Sequence, residues 1–257
     1  MSTQSLSDRP VVVITGASGG IGATLAHHVA PTHAVSLVAR RAPELGQVAS
    51  ALTATSGTPV LTIAADVTQR AEVQRVVRET LARFGRIDAW VNNVGQGITR
   101  MPSELTDDDI DDMMRVNVKS ALYGMQEVLP HFKAAGRGHI VNVSSMLGRV
   151  PFALQRSAYS AAKHFLNALT ANFRSEVQAT HPDIQVSLIS PGVVRTEFGL
   201  NALHGGLDSR QLPESQSADE VAAVIAAVLA DRRPDVYTRT GSVARIAGIY
   251  ASIGVDP

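Results

Sequence analysis

Apolar positions along the chain alternate between two spacings. Short runs rich in β-branched residues predict strands over 11–15, 35–40, 60–66, 88–93, 139–145, 185–190 and 235–240. Between them, helical spacing predicts helices over 20–30, 43–55, 68–84, 106–134, 157–180 and 217–231. The strand cores VVVIT and HIVNV are almost continuously apolar, as strands covered on both faces are. Seven strands alternating with six helices predict an α/β fold: a doubly wound, parallel, seven-stranded sheet of the Rossmann type, with right-handed crossovers and helices on both faces. No Pro/Gly/Ser linker and no repeat divides the 257 residues, so a single domain is expected, with 1–9 as a loose tail. The segment 193–216 holds no clear element and is too long for a mere connection, so it reads as a substrate loop.

Composition narrows the partners. Apolar residues make up 45% and charged residues 18%, and 23 basic residues balance 23 acidic ones. That balance gives no electrostatic footprint for nucleic acid. Cysteine is absent, which removes disulfides and thiolate chemistry. The polar start MSTQSLSDRP lacks the layout of a signal peptide, and no run reaches the ~18 apolar residues of a membrane span. A soluble, cytoplasmic protein with no membrane or nucleic-acid partner is expected.

In open α/β sheets, ligands bind beyond the carboxyl ends of the strands. Here those ends carry Gly16, Arg40, Asp66, Asn92-Asn93, Ser144-Ser145 and Ser190-Pro191-Gly192, so a crevice is expected along that edge. The turn T15-G16-A17-S18-G19-G20-I21-G22 follows the first strand and opens a helix. Gly16 permits the tight turn, Gly20 lets backbone approach a pyrophosphate, and Gly22 lets helix lie against strand. The helix N-terminus adds free N–H groups for the anion. At the end of the second strand, where a carboxylate would hold the ribose 2′-hydroxyl of NAD, the chain has Ala39-Arg40-Arg41. An Arg fork suits a 2′-phosphate, so NADP(H) is expected in preference to NAD(H).

Tyr159 and Lys163 lie four apart in YSAAK, on one face of a helix. A nearby ammonium favours phenolate and is expected to bring the phenol toward neutrality as a general acid–base. Thirteen residues separate Ser145 from Tyr159. From the end of its strand a Ser145 hydroxyl can donate to a substrate oxygen, although a strand-end pair such as Ser144-Ser145 can equally cap the next turn.

Together TGASGGIG (15–22), Asp66-Val67, NNVG (92–95), Asn117 in MMRVNV, NVSS (142–145), YSAAK (159–163) and PGVVRT (191–196) resemble the short-chain dehydrogenase/reductase family, in order and spacing, over about 190 residues. The resemblance implies that Ser145 orients and polarises the substrate oxygen, Tyr159 is the acid or base, and Lys163 binds the nicotinamide ribose and tunes Tyr159. Asn117 would hold a water in a relay to Lys163. Asp66 and Val67 would contact adenine, Asn93 and Gly95 would lie along the cofactor, and Val193 and Thr196 would meet the carboxamide. Ser18 and Ile21 in the glycine turn and Pro191-Gly192 complete the implied cofactor set. Of the serine pair, the resemblance favours Ser145. Two departures stand out: Val94 replaces a smaller residue, and the C-terminal segment lacks the family's glycine-rich close, which weakens its usual tetramer contacts.

Other features have plainer readings. Thr106 with the following acids reads as a helix cap rather than a metal site, and none of the eight histidines shows ligand spacing. Trp90 reads as core; Met113, Met114 and Met125 read as packing residues that by family resemblance could line a dimer seam. The expected protein is an NADP(H)-dependent oxidoreductase acting on a carbonyl or secondary alcohol, as a homo-oligomer (dimer or tetramer). The alternative is a non-catalytic NADP(H)-binding sensor or scaffold.

Overall fold

A computed structural model of the chain describes residues 9–254. The expected loose tail therefore lies outside the described residues except for Arg9, which is anchored: its Nη1 donates to Ala30 O at 3.1 Å and Thr58 Oγ1 at 3.3 Å.

The order is β1 (Val11–Thr15), α1 (Gly20–Val29), β2 (Ala34–Ala39), α2 (Ala42–Ser56), β3 (Val60–Ala64), α3 (Arg70–Phe84), β4 (Ala89–Asn92), α4 (Asp107–Met114), α5 (Ser120–Ala135), β5 (Gly138–Val143), α6 (Ser157–Gln178), β6 (Ile184–Ser190), α7 (Ala218–Asp231), β7 (Asp235–Tyr237) and α8 (Ser242–Tyr250). All seven strands are parallel in the order β3-β2-β1-β4-β5-β6-β7. The winding reverses between β1 and β4, which opens a crevice at their carboxyl ends.

Strand parity assigns the two core layers. Val12 and Ile14 face one way, onto Leu25 of α1, Leu45 of α2 and Ile225 of α7. Val13 faces the other way, with Ile63 and Trp90, onto Val73 of α3, Phe132 of α5 and Phe173 of α6. Fully buried side chains of this size each contribute about 1.5–3 kcal/mol, so this double layer supplies most of the driving force. Met125 is buried within it, and Met113 is buried in a smaller cluster with Ile98, Val118 and Tyr159.

Two elements differ from expectation. The single helix over 106–134 is instead α4 and α5 joined by a π-helical turn, Arg115–Lys119. Such a turn accommodates one extra residue and redirects the side chains beyond it. After β7 the chain forms α8, which the apolar segment 244–253 did not announce because it starts at a left-handed Gly241 with no side-chain cap. Among the described residues no helix is long and apolar enough to cross a membrane.

Candidate active site

The carboxyl ends of the strands border one cavity of about 1850 Å³. Drug-sized ligands occupy sites of roughly 300–1,000 Å³, so this one has room for a dinucleotide and a second molecule. Ser18, Arg41, Asp66, Asn93, Ser145, Tyr159, Lys163 and Thr196 all border it.

At one end lies the glycine turn. Gly16 and Gly20 adopt φ of +68° and +54°, which L side chains rarely adopt. At Gly22 a Cβ would run into the Gly16 carbonyl oxygen and lie 2.7 Å from Asn93 Nδ2, so only glycine fits. α1 then starts with no side-chain cap and no acid in its first turn. Its N–H groups and partial positive charge are therefore directed at the cavity, and the cradle fits a pyrophosphate. Asn93 fastens this turn: its Nδ2 donates to Thr15 O at 3.1 Å and Gly16 O at 3.3 Å. Val94 packs against the inner core layer, so its bulk is absorbed there.

Beside the turn, Arg41 Nη2 donates to Ser18 Oγ at 3.1 Å and Arg41 Nη1 pairs with Glu44 at 3.2 Å. Of the two strand-end arginines it is Arg41 that leans over the glycine turn. Arg40 is exposed. Asp66 Oδ1 accepts from Thr68 N at 3.0 Å and Thr68 Oγ1 at 2.8 Å, which fixes the third strand end.

The second half of the site stands on α6. Tyr159, Lys163, Leu166 and Thr170 are buried along one face of that helix, the spacing that turns a helical stripe inward. Lys163 is 2% exposed, its Nζ donates to Val143 O at 3.1 Å and lies 5.7 Å from the Tyr159 ring centroid. Ser145 Oγ accepts from Leu147 N at 3.1 Å and caps the short turn after β5 while it borders the cavity. Ser144 donates to Asn167 Oδ1 at 2.5 Å, and Asn167 in turn holds Gly148 O at 2.6 Å, so Ser144 is committed to structure.

Burial dominates the electrostatics of this half. Burial pushes the Tyr159 phenol up to about 12, against the opposing pull of the Ser145 hydroxyl and the charge of Arg156. Arg156 is thus a second cation that acts on the phenol, beside Lys163. Lys163 is itself lowered to about 8, because burial disfavours its ammonium.

Asn117 is fully buried in the π-helical turn. Its Oδ1 accepts from Gln96 N at 3.1 Å and its Nδ2 donates to Gln96 O at 3.0 Å, so it pins the loop after β4. A Cβ on Gly95 would lie 3.2 Å from Asn117 Oδ1 and 3.5 Å from Lys163 Nζ, which puts both groups against one backbone position.

On the far side, the substrate loop closes on itself through a bridge between Val194 and Gln216 and joins the loop after β4 through another between Ile98 and Leu203. Thr196 lies over Gly20, and Met146 N donates to Pro191 O at 2.7 Å. Phe198 meets the Tyr159 ring edge-on at 5.6 Å. His204 Nε2 bonds Asp109 Oδ1 at 2.7 Å and Arg100 pairs with Asp109 Oδ2 at 3.0 Å, which ties the loop to the start of α4. Thr99 and Arg156, on the loops after β4 and β5, and the start of α8 belong to this wall, as does Arg239, which sequence reasoning missed. For Arg156 the i, i+3 spacing to Tyr159 was the available signal.

A doubly wound parallel sheet with this edge is the architecture of a dinucleotide-binding domain. The chain belongs to the short-chain dehydrogenase family: residues 10–204 match the family's model. It is 33% identical over 187 residues to an uncharacterized oxidoreductase of Staphylococcus epidermidis, across 72% of this chain and 78% of that one. A dehydrogenase/reductase SDR family protein 7-like from Drosophila melanogaster is 34% identical over 237 residues, covering 88% and 71% respectively. Among solved structures, a short-chain dehydrogenase from Sphingobium yanoikuyae in complex with NADPH matches with TM-score 0.81 at 30% identity, over 96% of this chain and 97% of that one. A short-chain dehydrogenase/reductase from Burkholderia phymatum in complex with NAD shares the fold with TM-score 0.86 at 24% identity, over 99% of each chain.

Proposed function

We propose that this chain is an NADP(H)-dependent carbonyl reductase in which Tyr159 delivers the proton. The observation that carries the reading is the meeting of Ser145, Tyr159 and Lys163 at the strand-end edge opposite the glycine turn. When bound, NADPH would supply the hydride. Backbone N–H groups of the glycine turn and α1 would hold its pyrophosphate, with Ser18 and Ile21 beside them, while Ser18, Arg40 and Arg41 would hold the 2′-phosphate. Asp66 and Val67 would border the adenine; Asn93, Gly95, Pro191, Gly192, Val193 and Thr196 would line the nicotinamide end.

Burial keeps the Tyr159 phenol in the protonated form that carbonyl reduction uses. A phenol raised to about 12 keeps its proton at neutral pH and stands ready as an acid. Ser145 Oγ would donate to the carbonyl oxygen and polarise it, and the Arg156 charge would steady the phenolate left behind. Lys163, close to neutrality at about 8, can return a proton from the ribose side. Asn117 has its side chain committed to Gln96, so its part in a proton relay would run through its backbone carbonyl, with the side chain as a positioning group.

The test is a panel of aliphatic, aromatic and 3-oxoacyl carbonyls followed by NADPH absorbance. With the best substrate, Tyr159→Phe should lose roughly 100-fold or more of turnover, the worth of a positioned general acid, and still bind NADPH in a fluorescence titration. Near wild-type turnover in that variant would sink the proposal.

A further inference from the structure

Arg156 stands immediately before α6, three residues ahead of Tyr159 and seven ahead of Lys163, on the same side of the helix. Its guanidinium turns under the substrate loop. A Cβ on Gly97 would lie 2.7 Å from Arg156 Nη1 and 3.1 Å from the Phe198 ring. One on Gly206 would lie 3.0 Å from Arg156 Nη2 and 3.1 Å from Thr99 Oγ1. Two glycines thus leave a niche for the guanidinium, and the Thr99 hydroxyl reaches the same place.

Inside this niche Arg156 Nη1 and Thr99 Oγ1 are both buried, and neither has a hydrogen-bond partner. Among the described residues no carboxylate pairs with Arg156, whereas neighbouring Arg100 and Arg149 are paired with Asp109 and Asp235 at 3.0 and 2.5 Å. A guanidinium stays charged at any physiological pH, so holding it half-buried without an anion is unfavourable. The charge it senses nearby is that of Tyr159, which is neutral while the phenol keeps its proton. Among the described residues nothing supplies the counter-ion.

We infer that Arg156 and Thr99 together recognise a carboxylate on the carbonyl substrate, which makes the substrate a short oxo acid. The inference rests on the reductase reading of Tyr159. A flat fork with one added hydroxyl donor matches the two oxygens of a planar carboxylate, while a phosphate dianion would want more donors than a niche shared with Phe198 and Ala202 offers. One helical turn, about 5 Å, separates the residues that meet the two substrate groups. That spacing suits a carboxylate directly on the carbonyl carbon or one or two carbons away.

The experiment is calorimetric titration of NADPH-saturated protein with benzoylformate and 4-oxopentanoate, each compared with its methyl ester. Carrying it out in both the wild type and Tyr159→Phe separates binding from turnover. At least one acid should bind roughly 30-fold tighter than its ester, and Arg156→Leu should remove most of that ratio, as loss of one partner of a buried charge pair does. Thr99→Val should lower the ratio by roughly tenfold, the share of one hydrogen bond to a charged group. Arg156→Lys, which keeps the charge without the fork, should retain part of it. Acids that bind no tighter than esters, or a ratio untouched by Arg156→Leu in protein with a wild-type melting curve, overturn the inference. Tighter binding of dihydroxyacetone phosphate than of either acid overturns the carboxylate in favour of phosphate. Bound acid with no NADPH oxidation in the wild type counts against the reductase reading alone.

Discussion

The two walls of the cavity are built on opposite plans. Around the glycine turn the polar side chains that border the cavity find partners in the chain: Asn93 on Thr15 and Gly16, Asp66 on Thr68, Arg41 on Ser18. The opposite wall, made by the loops after β4 and β5, the substrate loop and the start of α8, carries buried polar atoms without partners: Thr99 Oγ1, Arg156 Nη1 and Arg239 Nε. Buried polar atoms are nearly always satisfied, so the three orphans that border the cavity point to groups meant for something the chain does not contain. The first wall works through backbone fixed by the sheet and suits a ligand common to the family. The second works through side chains on irregular segments, where specificity is changed at little cost to the fold.

The sharpest way to break the first wall is Gly22→Ala. Its Cβ would meet the Gly16 carbonyl oxygen, and neither backbone segment can yield without displacing β1 or α1. Overpacking of this kind costs about 3 kcal/mol or more and should lower Tm by roughly 10 °C in a chain of this size. NADPH binding, read by fluorescence titration, should be lost. Retained binding would mean that the turn is not the pyrophosphate cradle.

That wall was legible in the sequence because its signals are local. Apolar runs mark the strands, their last residues mark the edge, and the turn needs glycine at positions fixed by backbone geometry. The α6 face was legible for the same reason, since i, i+4 spacing alone joins Tyr159 to Lys163. Less was legible wherever a property depends on what other segments bring. The π-helical turn that sets Asn117 adds a single residue to a helical stripe and leaves composition unchanged. The direction in which the Tyr159 phenol moves depends on how deeply the loops bury it, and spacing carries no measure of burial. The isolation of Arg156 is a negative fact about every acid among the described residues, so it emerges only when the chain is folded.

A smaller effect sharpens the line between the two walls. Arg41→Glu replaces the fork above Ser18 with a like charge for a 2′-phosphate. Affinity for NADPH should fall roughly 100-fold relative to NADH, as expected for a repelled charge in place of an attracted one. Turnover of the carbonyl with saturating cofactor should fall far less. An unchanged cofactor preference would assign the phosphate to Arg40.

The smallest effect concerns the anchor of the second wall. α4 begins with a capping box in which Thr106 Oγ1 accepts from Asp109 N at 3.3 Å and Asp109 Oδ2 accepts from Thr106 N at 3.0 Å. The same carboxylate then receives His204 and Arg100, so a helix cap doubles as the catch of the substrate loop. The Thr106 amide first, then His204, and to a lesser degree Arg100 hold the Asp109 carboxyl well below the ordinary carboxylate range. A carboxyl depressed on folding contributes stability that is fully present above its unfolded pKa, near 4, and is lost as pH falls through the folded value. The catch is therefore closed throughout the neutral range and opens only in strong acid. Asp109→Asn imitates that opening at neutral pH, since an amide oxygen still caps the helix but carries no charge for Arg100. KM for the carbonyl should rise by roughly tenfold, the worth of one charge-assisted hydrogen bond, with kcat and the NADPH affinity shifted much less. A rise in the NADPH dissociation constant as large as the rise in KM would show that the two walls are not independent, and the contrast between them would fail.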